Sequence, residues 1–140
     1  MNHNNEKTAL FPGSFNPWHE GHEDVLNKAL KTFDKVVIMR AINPEKEAPG
    51  PMEFPEHLLV GGRIEIVEFR GLLRDYVSGR HFDAVIKGVR NIEDFIYEQM
   101  QFYFNQDLGM ETPMFFVIAN RDMVHKSSTF VRALRKFKRA

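Results

Sequence analysis

The chain contains no cysteine, which excludes disulfides and thiolate chemistry and fits a reducing compartment. No apolar run approaches the roughly 20 residues that a membrane span needs. The opening residues Met1-Asn2-His3-Asn4-Asn5-Glu6 also lack the apolar stretch of a secretory signal. Net charge is missing as well, because 19 Lys and Arg balance 19 Asp and Glu. A neutral chain has no overall attraction to nucleic acid or to an anionic membrane, so any anion it binds must be gripped locally. Together these absences predict a soluble cytoplasmic protein with neither nucleic acid nor membrane as partner. What is present is an ordinary globular composition, 43% hydrophobic and 27% charged, over 140 residues. That length suffices for one core and not comfortably for two, so the expectation is a single domain over 1–140.

The most informative stretch runs from Ala9 to His22, Ala-Leu-Phe-Pro-Gly-Ser-Phe-Asn-Pro-Trp-His-Glu-Gly-His. An apolar run stops at Pro12-Gly13, a polar loop with a second proline follows, and Gly21-His22 opens a helical pattern. A strand, a tight loop and a helix N-terminus present free backbone N–H groups and the positive end of a helix dipole, a natural seat for phosphate. Gly13 permits close backbone approach, Ser14 offers a hydroxyl, and His19 and His22 can each donate to phosphate oxygens. The same two histidines could be surface residues or ligands on one helical turn, but no cysteine and no evident third ligand supports a metal site.

Read in order, Lys7 to Phe11 is the first strand and Gly21 to Phe33 the first helix, with Val25, Leu26, Ala29, Leu30 and Phe33 at helical spacing. Lys35 to Ala41 has the continuous apolar centre of a strand covered on both faces. Asn43 to Gly62, rich in proline and glycine, reads as a long loop. Its Lys46 either is simply solvated or, lying just past a strand end, reaches a phosphate. Arg63 to Phe69 alternates apolar and charged residues, as a more exposed edge strand does. A short helix over Leu72 to Val77, a strand over Phe82 to Gly88, a long helix over Asn91 to Leu108 and a strand over Thr112 to Ile118 follow. Phe95, Gln99, Phe102 and Leu108 share one side of the long helix, and Gly109 marks its stop. Ser127-Ser128-Thr129 has helix-capping chemistry ahead of a basic final helix. The alternation predicts an α/β fold: a Rossmann-like three-layer α/β/α sandwich with a five-stranded parallel sheet. In such sheets ligands sit beyond the carboxyl ends of the strands, where the polar loops here converge.

These residues carry a resemblance. Gly-Ser-Phe-Asn-Pro followed by His19-x-Gly21-His22, with Ser127-Ser128-Thr129 and Arg132 later in the chain, resembles the nucleotidyltransferase superfamily of HxGH and ISSTxxR-type signatures. Asn43-Pro44-Glu45-Lys46, Gly71-Leu72-Leu73, Lys87-Gly88-Val89-Arg90, Asp94-Phe95-Ile96-Tyr97-Glu98, Asn105 and Glu111-Thr112 extend the likeness to the bacterial phosphopantetheine adenylyltransferases over nearly the whole chain. The resemblance implies transfer of AMP from ATP to 4′-phosphopantetheine, with Mg²⁺, commonly in a hexamer.

By the same resemblance Ser14 and Lys46 hold the acceptor phosphate near the ATP α-phosphate, and His22 stabilises charge building on the α-phosphoryl group. Arg90 contacts ATP phosphate, Glu98 the ribose, and Ser127, Ser128 and Thr129 the β,γ-phosphates. Gly13, Phe15, His19 and Gly88 fall on the ATP side, and Leu73, Lys87 and Asn105 on the acceptor side. Unaided chemistry agrees, because a phosphate acceptor is already a nucleophile and adenylyl transfer needs only in-line positioning and charge stabilisation. Singly, many of these residues read as structural: Gly88 as a turn, Asp94 as a first-turn helix charge, Ser127 as a cap. Phe102, Tyr103 and Phe104 read as core or subunit-contact residues, and the basic tail as a solvated helix end. Two alternatives stay open. One is a related nucleotidyltransferase using nicotinamide or nicotinate mononucleotide or another small phosphate; the other is a non-catalytic nucleotide-binding module.

Overall fold

A computed structural model describes residues 5–43, 45, 50, 52–121 and 136. Lys46, Ser127, Ser128, Thr129 and Arg132, with the final basic helix, lie outside the described residues. The elements run β1 (Thr8–Gly13), α1 (Glu20–Ala29), β2 (Lys35–Ile42), a single 3-10 turn (Glu56–Leu59), β3 (Ile64–Arg70), α2 (Leu73–Val77), β4 (Ala84–Val89), α3 (Ile92–Asp107) and β5 (Met114–Ile118).

The strands form one parallel sheet in the order β3-β2-β1-β4-β5. β3 lies at an edge, as its alternating charges predict. The sheet is buried on both faces, and the alternation of each strand sorts its residues between two cores. On one face Ala9, Phe11, Val36, Ile38, Ala84 and Ile86 pack under Val25, Leu26 and Ala29 of α1 and under Leu58 of the 3-10 turn. On the other, Leu10, Val37, Met39 and Val85 meet Tyr76 and Val77 of α2 together with Phe82 and Met110. α3 covers that second face further along, where Phe95 meets Phe116 of β5 edge-on. This is the Rossmann-like three-layer arrangement expected from the sequence. Full burial of a leucine such as Leu10 or Leu26 contributes about 1.5–3 kcal/mol.

Several boundaries differ from the sequence reading. α1 ends at Ala29 rather than Phe33, because Arg63 reaches over from the start of β3 and donates to the Leu30, Phe33 and Asp34 carbonyls. Those oxygens are satisfied without another helical turn. β4 begins at Ala84 rather than Phe82, since the Asp83 carboxylate accepts the Thr8 N–H at 2.8 Å. That bond holds the Asp83 carboxyl below its ordinary range. The stretch read as loop, Asn43 to Gly62, contains the turn Glu56–Leu59, whose Leu58 is buried. Arg40, 2% exposed on β2, donates to the Gly50 carbonyl at 2.8 Å and so ties that stretch to the sheet. On α3 only Asn105 is fully buried; the sheet-facing side is narrow, and many apolar side chains face away from it.

Candidate active site

β1 and β4 are adjacent, but the chain leaves their carboxyl ends toward opposite sides, the switch point at which such sheets open. Their register is short. β1 pairs with β2 over the whole span from Thr8 to Gly13, yet with β4 only at Ala9 and Leu10. Above that level the two strands part, and the space between them is a cavity of about 460 Å³. It is lined by Gly13, Ser14, Phe15, His19, His22, Gly88, Arg90 and Glu98. A second cavity of about 650 Å³ runs along the ends of β2 and α2 to α3, with Asn43, Leu73, Gln101 and Asn105 in its wall. Pro12, Gly13, Ser14, Lys87, Tyr97 and Glu98 line both. Among the described residues, those assigned from sequence to the nucleotide border the first cavity, and Ser14, Leu73, Lys87 and Asn105, assigned to the acceptor, border the second.

Close packing fixes the loop between β1 and α1. A Cβ on Gly13 would lie 2.9 Å from the Phe15 ring, so only glycine lets that ring fold back beneath the strand end. Phe15 itself has φ 45°, a left-handed conformation that costs a side-chain-bearing residue about 1–3 kcal/mol. Burial of its ring offsets that cost: it is 5% exposed and packs edge-on against Phe11, Phe54 and His22 at 5.2, 5.8 and 5.0 Å. Trp18 completes the aromatic cluster, 5.3 Å from the His22 ring.

Histidines perform the capping of α1. His19 is the N-cap residue, and its Nδ1 accepts the Gly21 N–H at 3.1 Å. In return His22, the third helical residue, accepts the His19 N–H on its own Nδ1 at 3.1 Å. This is the reciprocal capping box with imidazoles in place of the usual Ser and Glu. It fixes both tautomers: with each Nδ1 occupied as an acceptor, each neutral ring carries its proton on Nε2. The rings stack at 3.7 Å. Burial, followed by the charges of His19, Arg90 and Lys87, pushes the His22 pKa down to about 3. Burial and Arg90 lower that of His19, against a smaller opposing effect of Glu20. His22 is therefore a neutral N–H donor at physiological pH, on the wall of a cavity lined by cations.

Among the described residues, the two cations that line the first cavity, Lys87 and Arg90, lie at the end of β4 and pair with carboxylates of α3. Lys87 Nζ is 3.3 Å from Glu98, both side chains largely buried. Arg90 binds Asp94 through its Nε at 2.8 Å and its Nη2 at 3.2 Å, while its backbone N–H adds a third bond to the same carboxylate. Burial pushes the Asp94 carboxyl up, but its hydrogen bonds to Arg90 and the guanidinium charge outweigh this and hold it below the ordinary range. The side-on grip sets the guanidinium plane and leaves Nη1 out of the pair. Asn91 caps α3 by accepting the Asp94 N–H at 2.8 Å, so cap, acid and arginine form one rigid corner. Asp94 is the residue that the sequence reading left as a structural charge; the signal was its position four residues after Arg90. Asp24, which no motif in the sequence marks, also orders the rim. It accepts from the backbone and side chain of Asn120 at 3.1 and 3.0 Å and fixes the exit of β5 beside the first cavity. Among the described residues no group of three or more His, Asp or Glu is arranged to hold a metal.

Known proteins with similar sequences agree with this geometry. The cytidylyltransferase-like family profile matches residues 10–134. Phosphopantetheine adenylyltransferase of Natranaerobius thermophilus is 34% identical over 94% of this chain and 84% of its own length. The enzyme of the same name from Nautilia profundicola is 31% identical over 92% of this chain and 87% of its own, and that from Clostridium novyi 30% identical over 94% and 84%. A switch-point cavity with a histidine-capped helix, in a sequence matched along almost its whole length, places the chain in the cytidylyltransferase-like family and, within it, among the phosphopantetheine adenylyltransferases.

Proposed function

We infer that the protein transfers AMP from ATP to the phosphate of 4′-phosphopantetheine, yielding dephospho-coenzyme A and pyrophosphate. The observation that carries this reading is the pair of cavities sharing Gly13, Ser14 and Lys87. A nucleotide in the first and a phosphate-headed acceptor in the second meet at that shared wall. An acceptor phosphate oxygen then attacks the α-phosphorus, the bond from that phosphorus to the bridging oxygen of the β-phosphate breaks, and pyrophosphate leaves with the electron pair. The neutral Nε2–H of His22 donates to a non-bridging oxygen as charge builds there, and Arg90, set by Asp94, contacts the leaving phosphates. Lys46, Ser127, Ser128 and Thr129 keep their expected phosphate contacts in this reading. In this reading Mg²⁺ would be brought by ATP and would offset its phosphate charge, and the reaction is a cytoplasmic one. Among the described residues no helix is long and apolar enough to cross a membrane.

Incubation with ATP, Mg²⁺ and a panel of phosphorylated acceptors tests the assignment. Pyrophosphate is expected with phosphopantetheine. Release only with a nicotinamide or nicotinate mononucleotide would reassign the acceptor, and tight ATP binding without release from any acceptor would make the protein a binding module.

The protein works as a homo-oligomer, a hexamer by the family resemblance. Supporting this is a stripe along α3, on the side away from the sheet, where Ile92, Ile96, Met100 and Phe104 are 73, 51, 65 and 50% exposed at four-residue spacing. So long an apolar surface is typical of a subunit contact. Ile96→Glu keeps a good helix former and introduces a charge into the stripe. Sedimentation is expected to show the assembly in the parent protein and smaller species in the variant; equal masses would remove this face from the contact.

A further inference from the structure

We propose that the Lys87–Glu98 ion pair is an exchangeable strut between the two cavities, through which phosphate in one raises the affinity of the other for nucleotide. The inference rests on the assignment of the cavities to nucleotide and phosphate-headed acceptor. Lys87 lies on β4 and faces α3; Glu98 lies on the second turn of α3, and their 3.3 Å contact spans the shared wall. Both residues line both cavities. Their side chains are 22 and 14% exposed, so each charge keeps only part of its hydration and water replaces a lost partner incompletely.

That arrangement gives the empty protein a cost which each ligand alone must meet. A phosphate in the second cavity draws the Lys87 ammonium toward itself, and Glu98 is left as a largely buried carboxylate without its cation, a costly state. Nucleotide in the first cavity removes that cost, because the ribose hydroxyls are donors and Glu98 is an acceptor on the wall they face. In the reverse order, hydroxyls bonded to Glu98 loosen its hold on Lys87 and leave the ammonium ready for phosphate. The separation of the pair is thus met once for two ligands, which is positive coupling, and linkage makes it equal in both directions. A lysine suits this exchange, since its head is a compact charge on a flexible stem rather than a planar fork committed to one geometry.

Glu98→Gln separates the strut from a plain structural contact. Calorimetric titration of 4′-phosphopantetheine into the whole protein, with and without α,β-methylene-ATP, gives the coupling directly. In the parent protein the nucleotide analogue is expected to tighten acceptor binding about fivefold or more, the lower end of typical coupling between sites. In Glu98→Gln the acceptor alone should bind more tightly than to the parent, because no carboxylate competes for Lys87, and the analogue should no longer change its affinity. A merely structural glutamate would weaken both ligands and leave their ratio intact; that ratio, or an unaltered one, in a variant that still binds would overturn the proposal. Lys87→Gln supplies the second arm: acceptor binding should weaken and coupling vanish, and coupling that persists there also overturns it. If the parent binds no phosphopantetheine and releases no pyrophosphate with it, the assignment of function falls and the strut with it. Normal turnover with coupling untouched by Glu98→Gln removes the strut alone.

Discussion

Replacing His22 with alanine is expected to lower kcat about a hundredfold or more while ATP binding changes little, the usual cost of deleting a donor that acts on transition-state charge. The ring does two things that alanine cannot. Its ring lines the cavity with the donor proton on Nε2, and its Nδ1 accepts the His19 N–H that opens α1. Loss of the second function alone costs about 0.5–2 kcal/mol of stability, as helix caps do, and is visible as a lower melting temperature. His22→Gln distinguishes the two. Glutamine at the third helical position can accept the cap N–H as the capping box requires, and its amide retains a donor, so it should recover the melting temperature and part of the rate. Alanine with unchanged kcat would remove His22 from the chemistry.

The pH dependence belongs to the same prediction. An ordinary histidine is half protonated near pH 6.5, and protonation on Nδ1 would break the bond from the His19 N–H. With its pKa pushed down to about 3, His22 stays neutral well below that value. The sign follows: lowering the pH from 8 to 5 does not convert His22 to its charged form, so kcat should show no acid limb near 6.5 from this residue. Such a limb, absent in His22→Gln, would mean that the folded ring titrates normally.

The sequence carried much of this site because its chemistry is local. Gly13 to His22 is one continuous stretch whose prolines, glycines and histidines mark a strand end and a helix start, and Lys87 to Arg90 is another. Periodicity likewise identified the strands, since residues covered on both faces leave continuous apolar runs such as Val36 to Met39. Boundaries were less legible where a distant side chain decides them. Nothing near Phe33 announces that Arg63 will take the carbonyls at the end of α1, and nothing at Phe82 announces that Asp83 will bond Thr8. Pro12 read as a breaker, yet it lies within β1, at a height where β1 pairs with β2 and no longer with β4, so the strand already has an open edge there. A single 3-10 turn is too short to show a period, and Pro55 just before it was counted against helix although proline is well tolerated at a helix start. Pairings across the sheet were the least legible of all. Arg90 and Asp94 at least stand four residues apart, whereas Lys87 and Glu98 belong to different elements and meet only because α3 folds back over β4.

Gly88→Ala is expected to lower the melting temperature by about 3–10 °C and kcat by about a hundredfold, a large effect for one methyl group. Gly88 faces α1 from β4, and a Cβ there would lie 2.7 Å from Cγ2 of Val25. Val25 is itself 4% exposed, and its neighbour Leu26 is 1% exposed. The helix has no free space to enter, so strand and helix must separate, and overpacking of this kind costs about 1–3 kcal/mol, equivalent in a small domain to the stated shift. The activity loss comes from position. His22 lies one turn before Val25 on the same helix, and displacing a catalytic group by about 1 Å can cost a hundredfold in rate. Val25→Ala removes the clashing methyl groups, so the double variant should melt higher and turn over faster than Gly88→Ala alone, losing less than the two single changes sum to. If Gly88→Ala melts and turns over as the parent does, the close approach of α1 to β4 does not set the position of His22. If it is destabilised and Val25→Ala gives no relief, the strain lies in the strand end and not between strand and helix.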